Sequence, residues 1–371
     1  MASPSTHAKY KPPQVGSRQL KLLEDLTLAC AVSGDEGEVR KIVLEQVKAL
    51  ADDVSVDHLG NVLATCRGSG PDRLKVMLAA HMDEVGFMLT QVEDREEGAF
   101  RFEAVGGIDA GVLLGKPVWV GREHVPGIIG AKPIHLTSAD ERRRPVPIDA
   151  MRIDVGPGNS GKVKVGDRAT FATPFARVGA SLRAKALDDR LGVATLIELV
   201  RNYSAIRSSP ANIDLLAAFT VQEEVGLRGA QVAAYAFDPD LAIVLDCTPA
   251  RDLPSWDGEE NGQYNTRLGL GPAIYLADSA TISDPRLVRH LIQTAEELNI
   301  PYQLRQPGGG GTDAGTIHKQ RRGIPSVSIS VPGRYLHTPA GLVRLADWKN
   351  SLALVHAALS RLAPQILANE R

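Results

Sequence analysis

Five short segments carry the residue types that bind divalent cations and move protons: His81-Met82-Asp83-Glu84, Asp188-Asp189, Gln222-Glu223-Glu224, Asp246 and Tyr335-Leu336-His337. Histidine and carboxylate without cysteine suit zinc, manganese or cobalt. Each residue alone has an ordinary explanation: Asp188 as a helix cap, His81 as a satisfied buried histidine, Glu223 and Glu224 as solvated charge, Asp246 as the end of a strand. Together they do not, because gathering so many acids beside one crevice is costly unless they hold cations. The pair Glu223-Glu224 suggests a division of labour. One carboxylate binds metal while its neighbour, aimed differently, takes a proton from the attacking water. A carboxylate such as Asp188 can bridge two ions, which in two-metal hydrolases lie about 3.5–4 Å apart. Cys247, beside Asp246, reads as a small buried hydrophobe.

A crevice needs elements to frame it. Helical spacing runs from Arg18 to Val32 and again from Glu36 to Leu50, and Gly60-Asn61 marks a turn between strands at 54–57 and 62–66. Leu74 to Ala79 is a continuous apolar run of the kind buried on both faces of a sheet, and it leads straight into His81. From about Gly86 to Gly179 the pattern changes to short β-like runs (FMLTQV, FRFEAV, KPVWV, MRIDV, DRATF) separated by Gly and Pro. From Asp188 the helical period resumes, followed by strand 215–220, helix 228–237, strand 241–245, helix 285–298, strand 327–331 and a last helix near 345–362. Alternating strands and helices predict an α/β frame with a mixed, largely parallel sheet flanked by helices. The expected organisation is an N-terminal extension (1–16), a first frame segment (17–85), an inserted β-rich domain (86–179) and a second frame segment (180–371). In open α/β sheets the ligand crevice lies beyond the carboxyl ends of the strands, where these acids and histidines fall.

Composition supports a packed globular chain: 371 residues, 43% apolar and 23% charged. A net charge of −2 gives no global field for nucleic acid or an anionic membrane, and no apolar run approaches the ~20 residues of a membrane helix. Three cysteines and a polar first sixteen residues without an apolar region lead us to expect a cytoplasmic protein. Gly308 to Gly311 is followed by Thr312-Asp313 rather than the Lys-Ser/Thr of a phosphate loop, so it reads as a loop of close backbone approach beside the site. His318 reads as structural.

The segments AAHMDEVGF, KALDDRLG, TVQEEVGLRGA, GGGGTDAGTIH and GRYLHTP, in this order, resemble the tetrahedral aminopeptidase family, also known as the glutamyl and deblocking aminopeptidases. The similarity runs from about Ser33 to His337 and includes GIIGAKPIHL, which resembles part of that family's small β-barrel-like dimerisation domain. The resemblance implies a co-catalytic metallopeptidase with two divalent ions per subunit, zinc or cobalt first and manganese second. It implies one ion held by His81, Asp188 and Asp246, a second by Asp188, Glu224 and His337, Glu223 as general base and acid, and Asp83 orienting His81. It also implies short peptides as substrates and dimers assembling into a tetrahedral dodecamer. Two departures stand out. Family members often carry an acid shortly after the histidine of HTP, where this chain has Ala340-Gly341, and its N-terminal extension is longer. Rival readings are another co-catalytic amidohydrolase, such as a deacylase or dipeptidase, and a non-catalytic shell subunit.

Overall fold

The computed structural model describes residues 10–70, 72–207, 213–253 and 266–368. The first frame segment supplies α1 (Ser17–Leu28), α2 (Gly37–Val47), β1 (Asp53–Val56), β2 (Val62–Cys66) and β3 (Leu74–His81). The barrel strands follow: β4 (Gly86–Asp94), β5 (Ala99–Val105), β6 (Pro117–Val120), β7 (Val125–Gly130), β8 (Arg152–Asp154) and β9 (Arg168–Phe171). The chain returns through β10 (Ala176–Val178), β11 (Ser181–Ala184), α3 (Leu187–Arg201), α4 (Tyr203–Arg207), β12 (Ile213–Thr220), α5 (Arg228–Phe237) and β13 (Leu241–Pro249). It ends with β14 (Ala273–Tyr275), α6 (Pro285–Leu298), β15 (Gln303–Arg305), α7 (Ala314–Ile317), β16 (Ser326–Arg334), β17 (Gly341–Arg344) and α8 (Leu345–Arg361).

The frame sheet has the order β1-β2-β12-β3-β13-β16-β17-β11-β10. Its four central strands, β12, β3, β13 and β16, are mutually parallel, and the flanking pairs are antiparallel. The apolar run of β3 is continuous because both its faces are covered: Val76, Leu78 and Ala80 join the large core with α1, α2, α3, α6 and α8, while Met77 and Ala79 join a second core with α5 and α7. β12 and β13 divide their residues in the same way, Leu215, Ala217 and Phe219 to one side and Leu216 and Ala218 to the other.

The β-rich insert closes into a six-stranded barrel, β4-β5-β8-β7-β6-β9. Phe87 packs edge-on against Phe102 and Phe171 at 5.1 and 5.3 Å in its interior. Five of its strands match runs visible in the sequence. The other, β7, escaped notice because Pro126 and Gly127 break its alternation.

Some boundaries move for tertiary reasons. α1 stops at Leu28 rather than Val32, since the following residues turn to give the Ala31 carbonyl to the Glu84 N–H and to bridge Val32 with Glu84. β13 runs four residues beyond Leu245 because it pairs with β16 as far as Pro249. Residues 1–9 of the N-terminal extension lie outside the described residues. Residues 10–16 form no helix or strand, with Val15 buried and the Tyr10 hydroxyl donating to the Ala353 carbonyl on α8. Among the described residues no helix is long and apolar enough to cross a membrane.

Candidate metal centre

The parallel register brings the chemistry to one edge. His81 ends β3 opposite Thr220 at the end of β12, and Glu223-Glu224 follow in the next turn. Asp246 lies inside β13 rather than at its end. β13 pairs with β3 only through Val244, so from there it has β16 alone beside it and Asp246 stands past the edge of β3. Asp188 is set by the start of α3, where regular helical dihedrals begin only after Asp189. It is Asp189, not Asp188, whose Oδ1 accepts the Gly192 N–H over 2.9 Å and caps the helix. Asp188 is thereby free to face the cleft. His337 lies in the loop between β16 and β17.

These side chains border a cavity of about 680 Å³, together with Arg305 and Gly309 to Gly311. Donor atoms of His81, Asp188 and Asp246 lie within 4.8 Å of one another, as do those of Asp188, Glu224 and His337. Asp188 belongs to both groups: Oδ1 is 3.3 Å from His81 Nε2 and Oδ2 is 3.4 Å from His337 Nε2. Glu224 Oε1 is 3.3 Å from His337 Nε2. Glu223 is in neither group.

Both imidazoles are oriented by backbone carbonyls, which can only accept. His81 Nδ1 donates to the Asp83 carbonyl over 3.1 Å and His337 Nδ1 to that of Gly107 over 3.0 Å, leaving each Nε2 to face the carboxylates. The Asp83 carboxylate, 3.6 Å from His81 Nδ1, serves mainly another purpose. It accepts from Ser33 Oγ at 2.6 Å and from the backbone N–H groups of Glu223 and Glu224 at 3.0 and 3.2 Å, fixing the turn that separates those two acids.

The backbone around the site sits in the left-handed region at five non-glycine residues: Ala186 (φ 51°), Gln222 (56°), Leu227 (57°), Tyr335 (60°) and His337 itself (57°). Such conformations cost of order 1–3 kcal/mol each and persist only where surrounding contacts enforce them.

Electrostatics give the donor set a strong bias toward cations. Burial raises the pKa values of Glu223 and Asp246 well above the usual carboxylate range; Asp313 and Glu224 add to the effect at Glu223, and Asp188 and Asp189 at Asp246. Burial works against a charged His337, yet Asp188 and Glu224 outweigh it and hold the imidazole up to about 11. Buried Asp313 is raised to about 6 by desolvation, with Oδ2 accepting from Thr220 and no partner for Oδ1 among the described residues. Carboxylates that compete for protons in this way are relieved by dications, and the nitrogen and oxygen donors fit zinc, cobalt or manganese.

Sequence reasoning missed the support beneath the site. Glu84 is buried between Lys185 Nζ at 2.7 Å and Arg190 Nη2 at 3.0 Å, and also accepts from Thr170 on β9 at 2.8 Å. Lys185 and Arg190 flank Asp188 in KALDDR, so a buried counter-ion was the available signal. Gly107 gave none, because a backbone carbonyl has no sequence signature. Cys247 is buried, with Sγ 3.2 Å from the Leu187 carbonyl, and His318 Nδ1 bonds the Ala314 carbonyl at 2.7 Å.

Fold and donor set together define an α/β protein with a candidate metal-binding cleft at the carboxyl edge of the parallel strands of a mixed sheet. Among such proteins, the chain belongs to the M42 glutamyl aminopeptidase family, whose model matches residues 60–354. It is 31% identical to the lysyl aminopeptidase of Pyrococcus furiosus, over 93% of this chain and 97% of the relative. The TET aminopeptidase of the marine sediment archaeon Thaumarchaeota archaeon SCGC AB-539-E09 superposes with a TM-score of 0.87 at 37% identity, over 95% of this chain and 98% of that one. A TET1 peptidase of Pyrococcus horikoshii, described as able to assemble into a tetrahedron or a large octahedral shell, matches with a TM-score of 0.80 at 31% identity, over 93% of this chain and 100% of that one.

Proposed function

We propose that this chain is a metal-dependent aminopeptidase that removes the N-terminal residue of short peptides. The observation that carries this is the position of Asp188, whose two oxygens face two different histidines while Glu223 stands outside both donor groups. His81, Asp188 and Asp246 would hold one divalent ion and Asp188, Glu224 and His337 a second, zinc or cobalt first. When bound, such ions polarise the scissile carbonyl and lower the pKa of water. Glu223 takes the proton of the attacking water and returns it to the leaving amine; burial beside Asp313 and Glu224 makes it the stronger base this needs. Asp83 holds the turn that aims Glu223 at the reacting atoms and Glu224 at His337.

The insert is the proposed dimerisation domain, with dimers building a closed shell as the neighbouring structures do. Ile128, Ile134 and Leu136 support this, since the insert leaves them 47%, 69% and 61% exposed. Three cysteines, odd in number and widely spaced along the chain, accord with a cytoplasmic location. The test is a panel of aminoacyl p-nitroanilides and N-acyl amino acids on the metal-stripped protein reloaded with zinc, cobalt or manganese. Metal-dependent turnover of substrates with a free α-amine is expected. Turnover of the N-acyl compounds alone would favour a deacylase, and none with any metal would favour a non-catalytic shell subunit.

A further inference from the structure

Outside the cleft, a second set of metal donors converges where the barrel meets the frame. Cys30 lies between α1 and α2, Glu38 in the first turn of α2, and His124 in the turn between β6 and β7. A sulfur, a carboxylate oxygen and a ring nitrogen from these three lie within 4.8 Å of one another. His124 Nε2 is 2.6 Å from Glu38 Oε1, and Glu38 Oε2 accepts the Cys30 backbone N–H over 2.9 Å, so the carboxylate is held between the other two residues. Cys30 and Glu38 border a cavity of about 400 Å³ that shares no residue with the cleft.

We propose that Cys30, Glu38 and His124 bind a zinc ion that ties the barrel to the frame, with water from the cavity as the remaining ligand. One sulfur, one oxygen and one nitrogen are the donors of a three-ligand zinc site with an open position. A thiolate and a carboxylate together neutralise a dication, so the ion adds no net charge at a half-buried site. Burial pushes the Cys30 thiol up to about 12, so it keeps its proton until the ion takes its place and the proton leaves to solvent. An anion is the rival occupant, because Arg40, Arg122 and Arg168 also border the cavity. Each already has an acceptor: Arg122 the Asp35 carboxylate at 3.0 Å, which borders the same cavity, Arg40 the Gly60 carbonyl at 3.1 Å, and Arg168 the Gly166 carbonyl at 2.8 Å. The ion would span a junction on which the cleft depends, since the same barrel supplies the Gly107 carbonyl to His337.

Cobalt distinguishes this site from the cleft, because only a thiolate ligand gives an intense near-ultraviolet charge-transfer band and none of the cleft's proposed ligands is a cysteine. The full-length chain is stripped, titrated with cobalt and followed by absorbance, alongside Cys30→Ser, His124→Asn and Cys247→Ser. The band is expected in the wild type and in Cys247→Ser, should vanish in Cys30→Ser, and should need more cobalt in His124→Asn. Absence of the band from the wild type, its survival in Cys30→Ser, its loss in Cys247→Ser or an unchanged titration of His124→Asn would each overturn the proposal. Activity enters none of these readouts, so they stand or fall independently of the aminopeptidase reading.

Discussion

His337 Nδ1 donates to the carbonyl oxygen of Gly107, 3.0 Å away, so an imidazole on a frame loop is oriented by the backbone of the inserted barrel. The neighbouring Gly106 has φ +87°, and a Cβ there would fall 2.8 Å from Val85 Cγ1 and 3.4 Å from Glu224 Cβ. Gly106→Ala is therefore expected to disturb Glu224 and His337 together. Loss of a supporting contact typically weakens a metal site by about 10–100-fold. Calorimetric titration of zinc into the stripped variant should show one of the cleft's two binding steps weakened by that order and the remaining binding little changed.

Asp83 organises both halves of the cleft, its carboxylate accepting from the Glu223 and Glu224 N–H groups while its backbone carbonyl accepts from His81 Nδ1. Asp83→Ala keeps the carbonyl but leaves two backbone donors and Ser33 without their acceptor. A fall in kcat of about 10–100-fold is expected, with weaker metal retention. Asp83→Asn, which can still accept one of these bonds, should lose less. Steady-state kinetics with metal analysis of both variants checks the order.

Glu223→Gln preserves shape and removes the proton acceptor. Turnover should drop by about 10²–10⁴ with both ions retained, the usual contribution of a general base. Asp188→Ala should instead lose metal, because its two oxygens face both histidines. Elemental analysis beside turnover separates the two outcomes, and full activity in Glu223→Gln would remove it from the mechanism.

The frame was legible because its signals are local: the apolar run ending at His81, the helix over 228–237 and the helix over 285–298 each sit in one stretch of chain. The five acid and histidine segments were legible for the same reason. What escaped depends on contacts distant in sequence. β7 is recognised by its partners rather than its pattern, β14 and β15 are three-residue strands, and the orienting group for His337 is a carbonyl 230 residues away. Asp189 illustrates the finer limit, since two adjacent aspartates look alike until the helix start assigns one to the cap and the other to the cleft.

Glu84 tests the foundation beneath the metals. It is almost fully buried, and though burial alone would raise its pKa, Lys185 and Arg190 hold it below the usual glutamate range. Glu84→Ala strands two buried cations and should cost about 3–5 kcal/mol. Urea unfolding should show a loss of unfolding free energy of that size, larger than for any exposed ion pair such as Arg361 with Glu297.

The C-terminal helix carries a pH dependence that can be isolated from the cleft. His356 on α8 is 5% exposed, with Nδ1 3.1 Å from the Tyr10 hydroxyl, and burial lowers it from 6.5 to about 4. Between those values the unfolded chain binds a proton that the folded chain does not, so the contribution is fully present above pH 6.5 and is lost as pH falls toward 4. Over that window the histidine should weaken folding by about 2–3 kcal/mol, since each tenfold difference in proton affinity between the two states is worth about 1.4 kcal/mol. Glu84 responds in the same direction but lower, below the usual glutamate range, because Lys185 and Arg190 stabilise its charged form. Comparing wild type with His356→Gln cancels the carboxylates common to both. The stability gap between the two proteins, measured by urea unfolding at pH 7 and near pH 4.5, should move by about 2 kcal/mol in favour of the variant on acidification. A gap independent of pH would mean that His356 titrates alike in the folded and unfolded chains.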